Sequence, residues 1–358
     1  MHTTLSPRHR HRILAAAALA LAAGASLLAG CGDASNDSSS ADPSTSTPVA
    51  SDRSERVATT EPQTCTVRNE STQLRHTVAG HTYNADLHRP PADPRSLRLP
   101  AVIDLHGVYS DGPTQAALTG FGDLADLVAA EGDGFLVVEP TGQPGPIDGA
   151  TGWEFAALEE PDRDDAQYLS QLIDTLVADH CADASRVYLA GYSNGGFFAA
   201  EYACAHPEVI AAIATVAGFL QPQDCTLTVP VVAFHGTQDP VVPWGAGGTS
   251  ILVSEQSPPA LVTAIARGAG PQFAESAVAA GCDATPDRAA TTGDVTLTSW
   301  KGCAEGADHL LYEIAGGGHT WPGATELPGD AELIGATTSS IDATRTIWEF
   351  FSTHQNRR

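Results

Sequence analysis

The chain has 358 residues, with 43 acidic against 18 basic side chains and a formal net charge of −25. A polyanion this strong argues against nucleic acid and anionic lipid headgroups as partners, and points to solubility outside the cell. The length suffices for one large domain with a sizeable core, so no metal is needed to hold the fold.

Residues 1–30 read as an export signal: Arg8, Arg10 and Arg12 precede an Ala- and Leu-rich run over 13–28. That run is short for a spanning helix. It ends in Leu28-Ala29-Gly30-Cys31, which resembles a bacterial lipobox. Cleavage before Cys31 would leave a lipidated cysteine as the membrane anchor. Residues 31–64 follow as a tether rich in Ser, Thr, Asp and Pro, too poor in apolar side chains to offset its ordering entropy. Such a flexible segment would reach roughly 30 Å.

The domain is expected over 65–358. Polar–apolar alternation over 73–87, ending at Arg89-Pro90-Pro91, predicts an antiparallel strand pair at a sheet edge. The apolar run 100–105 fits a buried parallel strand. A helix is predicted over 115–130 and a strand over 134–138. Residues 140–163 carry many Gly, Pro and Asp and read as loop. Helical spacing returns over 165–178, then a strand at 186–190, a helix at 194–205, and apolar runs at 209–217 and 229–234 that read as strands. Residues 245–290 look like a lid-like insertion with one helix at 272–280. Strands at 295–300 and 309–314 and a last helix over 341–354 complete the pattern. Alternating strands and helices imply a mostly parallel sheet covered on both faces, an α/β architecture.

Gly191-Tyr192-Ser193-Asn194-Gly195 matches G-x-S-x-G between a predicted strand and a predicted helix. There the turn would lift the Ser193 hydroxyl out of the sheet, as in a nucleophile elbow. A serine hydroxyl needs a base. His319, in Gly316-Gly317-Gly318-His319-Thr320-Trp321-Pro322-Gly323, lies in a flexible loop after the last strand. His106 and His235, each at a strand end before Gly, read instead as hydrogen-bonded core histidines, while His180, His206 and His354 lie near helix ends. An acid should orient the imidazole. Asp239 stands just past a strand and before Pro240; Asp283 and Asp308 are the nearest alternatives. The order Ser193, Asp239, His319 is that of α/β-hydrolases. An oxyanion would need two backbone donors: the Asn194 N–H, and that of Val108 or, second, Tyr109. Trp321, Trp153 and Tyr192 are candidate substrate-binding residues.

Apart from Cys31, six cysteines remain, an even number that implies disulfides in an exported domain. Cys282 with Cys303 is the preferred pair, since they bracket one predicted strand. The pairing of Cys65, Cys181, Cys204 and Cys225 is open, with a buried free thiol an alternative for Cys204. No C-x-x-C pair points to zinc.

On these residues the chain resembles the esterases that include poly(3-hydroxybutyrate) depolymerases, feruloyl esterases, acetylxylan esterases and actinobacterial lipoproteins. The matching stretches are Leu105-His106-Gly107, Asp164-Asp165, Arg186-Val187-Tyr188, Gly191 through Gly196, Phe234 through Asp239, and Gly316 through Gly323. The resemblance implies an α/β-hydrolase fold, the triad Ser193, Asp239 and His319, and no cofactor or metal. The expected function is hydrolysis of feruloyl-type or short hydroxyacid esters, polyhydroxybutyrate oligomers included, by a monomer outside the cell that is either held to the membrane by lipid alone or secreted. A peptidase on the same fold and a catalytically silent surface-binding lipoprotein are the alternatives.

Overall fold

The computed structural model describes residues 64–91, 97–145, 149–158, 162–255, 257–325 and 331–356. The expected export signal, Cys31 and nearly all of the expected tether lie outside them. The described residues form one compact unit within Pro62–Arg358.

Two antiparallel strands open the domain, β1 (Gln73–Val78) and β2 (His81–His88). Both bury alternate residues, as the sequence alternation requires. The fully buried β3 (Leu99–Leu105) follows. Next come α1 (Gly112–Thr119), α2 (Phe121–Ala129) and β4 (Leu136–Thr141). The single helix expected over 115–130 is thus two. Gly120 adopts a left-handed conformation (φ 65°), ends α1 and starts α2. The loop expected over 140–163 contains a small ladder of β5 (Gln143–Pro144) and β6 (Thr151–Gly152).

The second half contributes α3 (Asp165–Asp179), β7 (Ala182–Tyr192), α4 (Asn194–Ala205), β8 (Ala212–Val216) and β9 (Val231–Gly236). Asp164 caps α3 by accepting a hydrogen bond from the Gln167 N–H. The region of the expected insertion holds two helices rather than one, α5 (Pro259–Ala266) and α6 (Ala269–Ala279), with left-handed Gly268 between them. An added edge strand follows, β10 (Asp287–Ala290). Then come β11 (Val295–Trp300), β12 (His309–Ile314), the short α7 (Ala331–Ile334) and α8 (Ala343–Phe351).

Ten strands make one sheet in the order β1-β2-β4-β3-β7-β8-β9-β12-β11-β10. Neighbouring strands from β4 to β12 run parallel and the two flanks antiparallel. Each face has its own apolar cluster. One packs α3, α4 and α6 on the sheet, with Leu172, Phe198 and Phe273; the other packs α2 and α8, with Phe121, Ile347 and Phe351. The first eight strands in this order, with crossover helices on both faces, are the α/β-hydrolase arrangement. Its βα loops gather at the carboxyl ends of β3, β7, β9 and β12, where open parallel sheets place their sites.

Three disulfides join Cys65 to Cys181, Cys204 to Cys225 and Cys282 to Cys303. The preferred pair is present, but it brackets the β10–β11 hairpin rather than one strand. Cys204 is bonded, not free. Among the described residues no helix is long and apolar enough to cross a membrane.

Two buried acids lie side by side on β3 and β4. Asp104 is fully buried and accepts from Gln115 Nε2 (2.8 Å) and Thr119 Oγ1 (2.7 Å). Burial nevertheless pushes its carboxyl up to about 7. Burial first, then the neighbouring Asp104 and Asp86, push Glu139 up to about 8. Both values exceed those of an unfolded chain, so the fold retains protons that the unfolded chain releases as pH rises above the ordinary carboxyl range. The sign is therefore that this pair destabilises the fold increasingly as pH climbs toward 7–8. Asp104→Asn removes one ionisation and keeps the shape. Its melting temperature relative to the unsubstituted protein should rise steadily from pH 5 to pH 8, by calorimetry. A pH-independent difference between the two would refute the assignment.

Candidate active site

β7 runs into Ser193, which has φ 53° and ψ −118°, and α4 begins at the next residue. A non-glycine residue at positive φ is strained, and here the surroundings hold it there. The Ser193 N–H donates to the Val216 carbonyl (2.9 Å), and its carbonyl accepts from Gly196 (2.9 Å). The neighbouring backbones come so close that a Cβ at Gly195 would run into the Leu105 carbonyl, and one at Gly218 into the Ser193 carbonyl. Glycine is needed there because nothing larger fits.

The His319 loop arrives from the far side of the sheet. Its backbone is gripped twice: the His319 N–H donates to the Ile334 carbonyl (2.6 Å), and the His319 carbonyl accepts from the Tyr192 hydroxyl (2.6 Å). The ring then bridges two partners. Nε2 lies 2.9 Å from Ser193 Oγ and Nδ1 lies 2.8 Å from Asp239 Oδ2. A carboxylate can only accept, so Nδ1 carries the hydrogen and Nε2 is left to accept from the serine. The Asp239 carboxylate is fixed in turn through Oδ1, which accepts from the N–H groups of Val241 (2.7 Å) and Val242 (2.8 Å). Burial alone would raise Asp239. His319, His235 and the Val242 N–H together outweigh it and hold the carboxyl below the ordinary range.

The structure brings Ser193, His319 and Asp239 together; Asp283 and Asp308 take no part in these contacts. His106 and His235 are the buried, bonded histidines expected. His106 Nδ1 donates to the Gly107 carbonyl (2.7 Å) while Nε2 accepts from the Gly142 N–H (2.9 Å). His235 Nε2 donates to the Val242 carbonyl (2.8 Å) and stands 3.4 Å from Asp239 Oδ2, a contact without a signature in the sequence. Burial lowers His235, which keeps it neutral beside the carboxylate.

For the oxyanion donors, the geometry separates the two alternatives. The Tyr109 N–H is used by the Thr151 carbonyl (3.0 Å). The N–H groups of Val108 and Asn194 make no hydrogen bond among the described residues. Asn194 opens α4, where helix geometry leaves such donors free. An alcohol bonded to an imidazole that rests on a buried carboxylate is a proton relay, and two backbone N–H groups without partners among the described residues, one of them on the residue after the alcohol, suit a developing negative oxygen.

The three aromatic residues expected to line the substrate do not face solvent. Trp321 is 1% exposed, donates through Nε1 to Thr344 Oγ1 (3.0 Å), and packs edge-on against Phe121. Trp153 is 2% exposed and stacks between Tyr168 and Phe198. Tyr192 is buried and ties down the His319 loop. Trp153 and Trp321 have the Gly-rich or catalytic-loop setting of a substrate wall in sequence, but each loop folds its indole into the core, where a large apolar surface is worth most.

Residues 153–257 match the Abhydrolase_2 family model, described as phospholipase/carboxylesterase. The match contains Ser193 and Asp239 and ends before His319. The chain is 29% identical over 297 residues to NocK, a presumed esterase of Nocardia uniformis subsp. tsuyamanensis, covering 76% of this chain and 80% of that one. It is 32% identical over 145 residues to the bifunctional acetylxylan esterase/xylanase XynS20E of Neocallimastix patriciarum, covering 40% of this chain but 20% of the relative. It is 31% identical over 198 residues to feruloyl esterase B of Piromyces equi, covering 53% of this chain and 35% of the relative. Among solved structures, an acetyl xylan esterase from Aspergillus awamori aligns with a TM-score of 0.46 and 14% identity, over 79% of this chain and all of that one. The chain has the α/β-hydrolase fold, and its likeness to feruloyl and acetylxylan esterases stands in these comparisons as it does in the motifs.

The position of Trp321 is testable. As a core residue, Trp321→Ala should lower unfolding free energy by about 3–5 kcal/mol in denaturant titration. A variant of unchanged stability but raised KM would instead return Trp321 to the substrate wall.

Proposed function

We propose that this chain is an exported serine esterase that hydrolyses carboxylic esters through an acyl-enzyme on Ser193. The observation that carries the reading is the relay Ser193–His319–Asp239, closed by contacts of 2.9 and 2.8 Å.

In this reading Ser193 Oγ attacks the ester carbonyl while His319 Nε2 takes its proton. Asp239, held in its charged form, keeps the imidazole in the right tautomer and stabilises the imidazolium. The tetrahedral oxyanion sits between the N–H groups of Asn194 and Val108. On collapse the C–O bond to the alcohol breaks, and His319 returns the proton to the leaving oxygen. Water, deprotonated by the same imidazole, then attacks the acyl-serine ester and releases the acid. No cofactor enters this cycle.

The substrate class is a feruloyl-type or short hydroxyacid ester met outside the cell. Relatives named for feruloyl and acetylxylan ester cleavage support the first part of this reading. Three disulfides support an oxidising compartment. The basic, apolar N-terminus ending at Cys31 supports attachment by lipid.

Protein lacking the first 31 residues should hydrolyse p-nitrophenyl acetate or butyrate and react with a fluorophosphonate probe. Ser193→Ala should abolish both with the circular-dichroism spectrum unchanged. Asp239→Asn should lower kcat by roughly 10³–10⁴ while the geometry persists, because the tautomer is lost. Undiminished turnover in Ser193→Ala would refute the mechanism. Comparing methyl ferulate, acetylated xylan and 3-hydroxybutyrate oligomers would assign the acyl group.

A further inference from the structure

The two oxyanion donors of the proposed mechanism come from different elements. Asn194 is on α4 and Val108 on the loop after β3. Their separation has to be held to a fraction of an ångström for both to meet one oxygen. The sheet alone does not fix it, because the Val108 loop lies beyond the last paired residue of β3, Leu105.

A third segment spans the gap. Residues 151–153 bond to both sides. Toward the loop, Trp153 Nε1 donates to the His106 carbonyl (3.0 Å), and the Thr151 carbonyl accepts from the Tyr109 N–H (3.0 Å). These two contacts bracket Val108 on either side in sequence. Toward the elbow, the Trp153 N–H donates to Asn194 Oδ1 (2.6 Å), and Asn194 Nδ2 donates back to the Trp153 carbonyl (2.9 Å). The Asn194 side-chain amide thus both accepts from and donates to Trp153, while its own backbone N–H makes no hydrogen bond among the described residues. The segment is itself anchored. Arg163 Nη2 donates to the Gly152 carbonyl, and the same guanidinium grips Asp165 at both oxygens (2.9 and 2.5 Å). Asp165 is fully buried and also accepts from Tyr83 Oη (2.6 Å) and the Glu154 N–H (2.7 Å). A buried ion pair of this kind contributes geometry more dependably than it contributes stability.

We propose that Trp153 and the Asn194 side chain are positioning residues: with Thr151 they form a brace that sets the distance between the Val108 and Asn194 N–H donors, and Arg163–Asp165 is its footing. The proposal rests on the esterase reading above and adds to it a role for groups that touch neither the substrate nor the relay.

Trp153→Phe in the full-length chain removes the indole N–H and keeps a ring between Tyr168 and Phe198. Active enzyme is counted by fluorophosphonate titration, which corrects for misfolded protein. On p-nitrophenyl butyrate, kcat per active site should fall by about tenfold, short of the 10²–10³ of losing a donor outright. KM should move by less than about twofold, because the oxyanion does not exist in the ground state. Affinity for an aryl trifluoromethyl ketone, whose serine adduct places an oxyanion between the donors, should weaken by the same factor as kcat/KM. Asn194→Ala, which keeps its backbone N–H, should show the same pattern more strongly and serves if Trp153→Phe does not fold. A loss of active fraction with unchanged kcat per site and unchanged ketone affinity would mean that the segment is structural only, and overturns the brace. A parent protein that neither reacts with the probe nor binds the ketone overturns the esterase reading, and the brace with it.

Discussion

Ser193 and His319 are 126 residues apart in the chain, yet their side chains meet at 2.9 Å. That hydrogen bond is the constraint on which the rest of the site depends, and neither partner can make it alone. The serine must sit at φ 53°, a conformation that its own side chain disfavours. The imidazole must be carried to the serine by a glycine-rich loop that has no regular secondary structure to hold it. The fold meets the first demand by crowding: the elbow passes so close to the Leu105 carbonyl of β3 that only glycine fits at 195, and the Ser193 carbonyl lies so close to the loop after β8 that only glycine fits at 218. It meets the second by anchoring the His319 backbone on both sides, to Ile334 and to Tyr192. Tyr192, the residue beside Ser193, therefore holds His319. Serine and histidine are coupled through protein as well as through their own hydrogen bond.

Much of this was legible in the sequence because it depends on local patterns. Buried strands show as apolar runs, the elbow as flanking glycines, and the chain order of the three side chains as a topology. What the sequence could not show was the direction of a side chain that leaves a loop. Trp153 and Trp321 have the same local setting as a substrate wall. Each instead turns inward, because an indole N–H can find a partner there: the His106 carbonyl in one case, Thr344 in the other. The break at Gly120 was misread for a related reason. A lone glycine in an apolar pattern is tolerated in a helix, and only its left-handed conformation makes it a stop. His235 beside Asp239 left no signal, since a histidine before glycine at a strand end reads equally well as core.

Polar groups buried behind the site are numerous for a region that looks apolar in sequence. Asp104, Glu139, Asp165 and Arg163 all lie at or below 8% exposure. Asp165 is matched by a guanidinium and two further donors, whereas Asp104 has only neutral donors. The two acids accordingly behave differently. Asp165 is the footing of an ion pair, while Asp104 sits where its ionisation opposes the fold. The contrast separates a buried carboxylate used as an anchor from one kept close to neutrality inside the sheet.

The segment 245–290, which looked like an independent insertion, is tied to the acid loop. Leu261 and Ile265 of α5 share an apolar cluster with Val241 and Val242, and with Phe197 of α4. The backbone N–H groups of Val241 and Val242 are the ones that fix Asp239 Oδ1. Packing on one side of these two valines thus sets the carboxylate on the other. A free lid would place its apolar side chains over the cleft and leave the triad indifferent to its position. Here the helix presses on the residues that orient the acid, one step removed from His319. The loop before α5 is attached differently: Ile251 there stands half exposed, and its N–H donates to the Pro240 carbonyl, next to Asp239 in the chain.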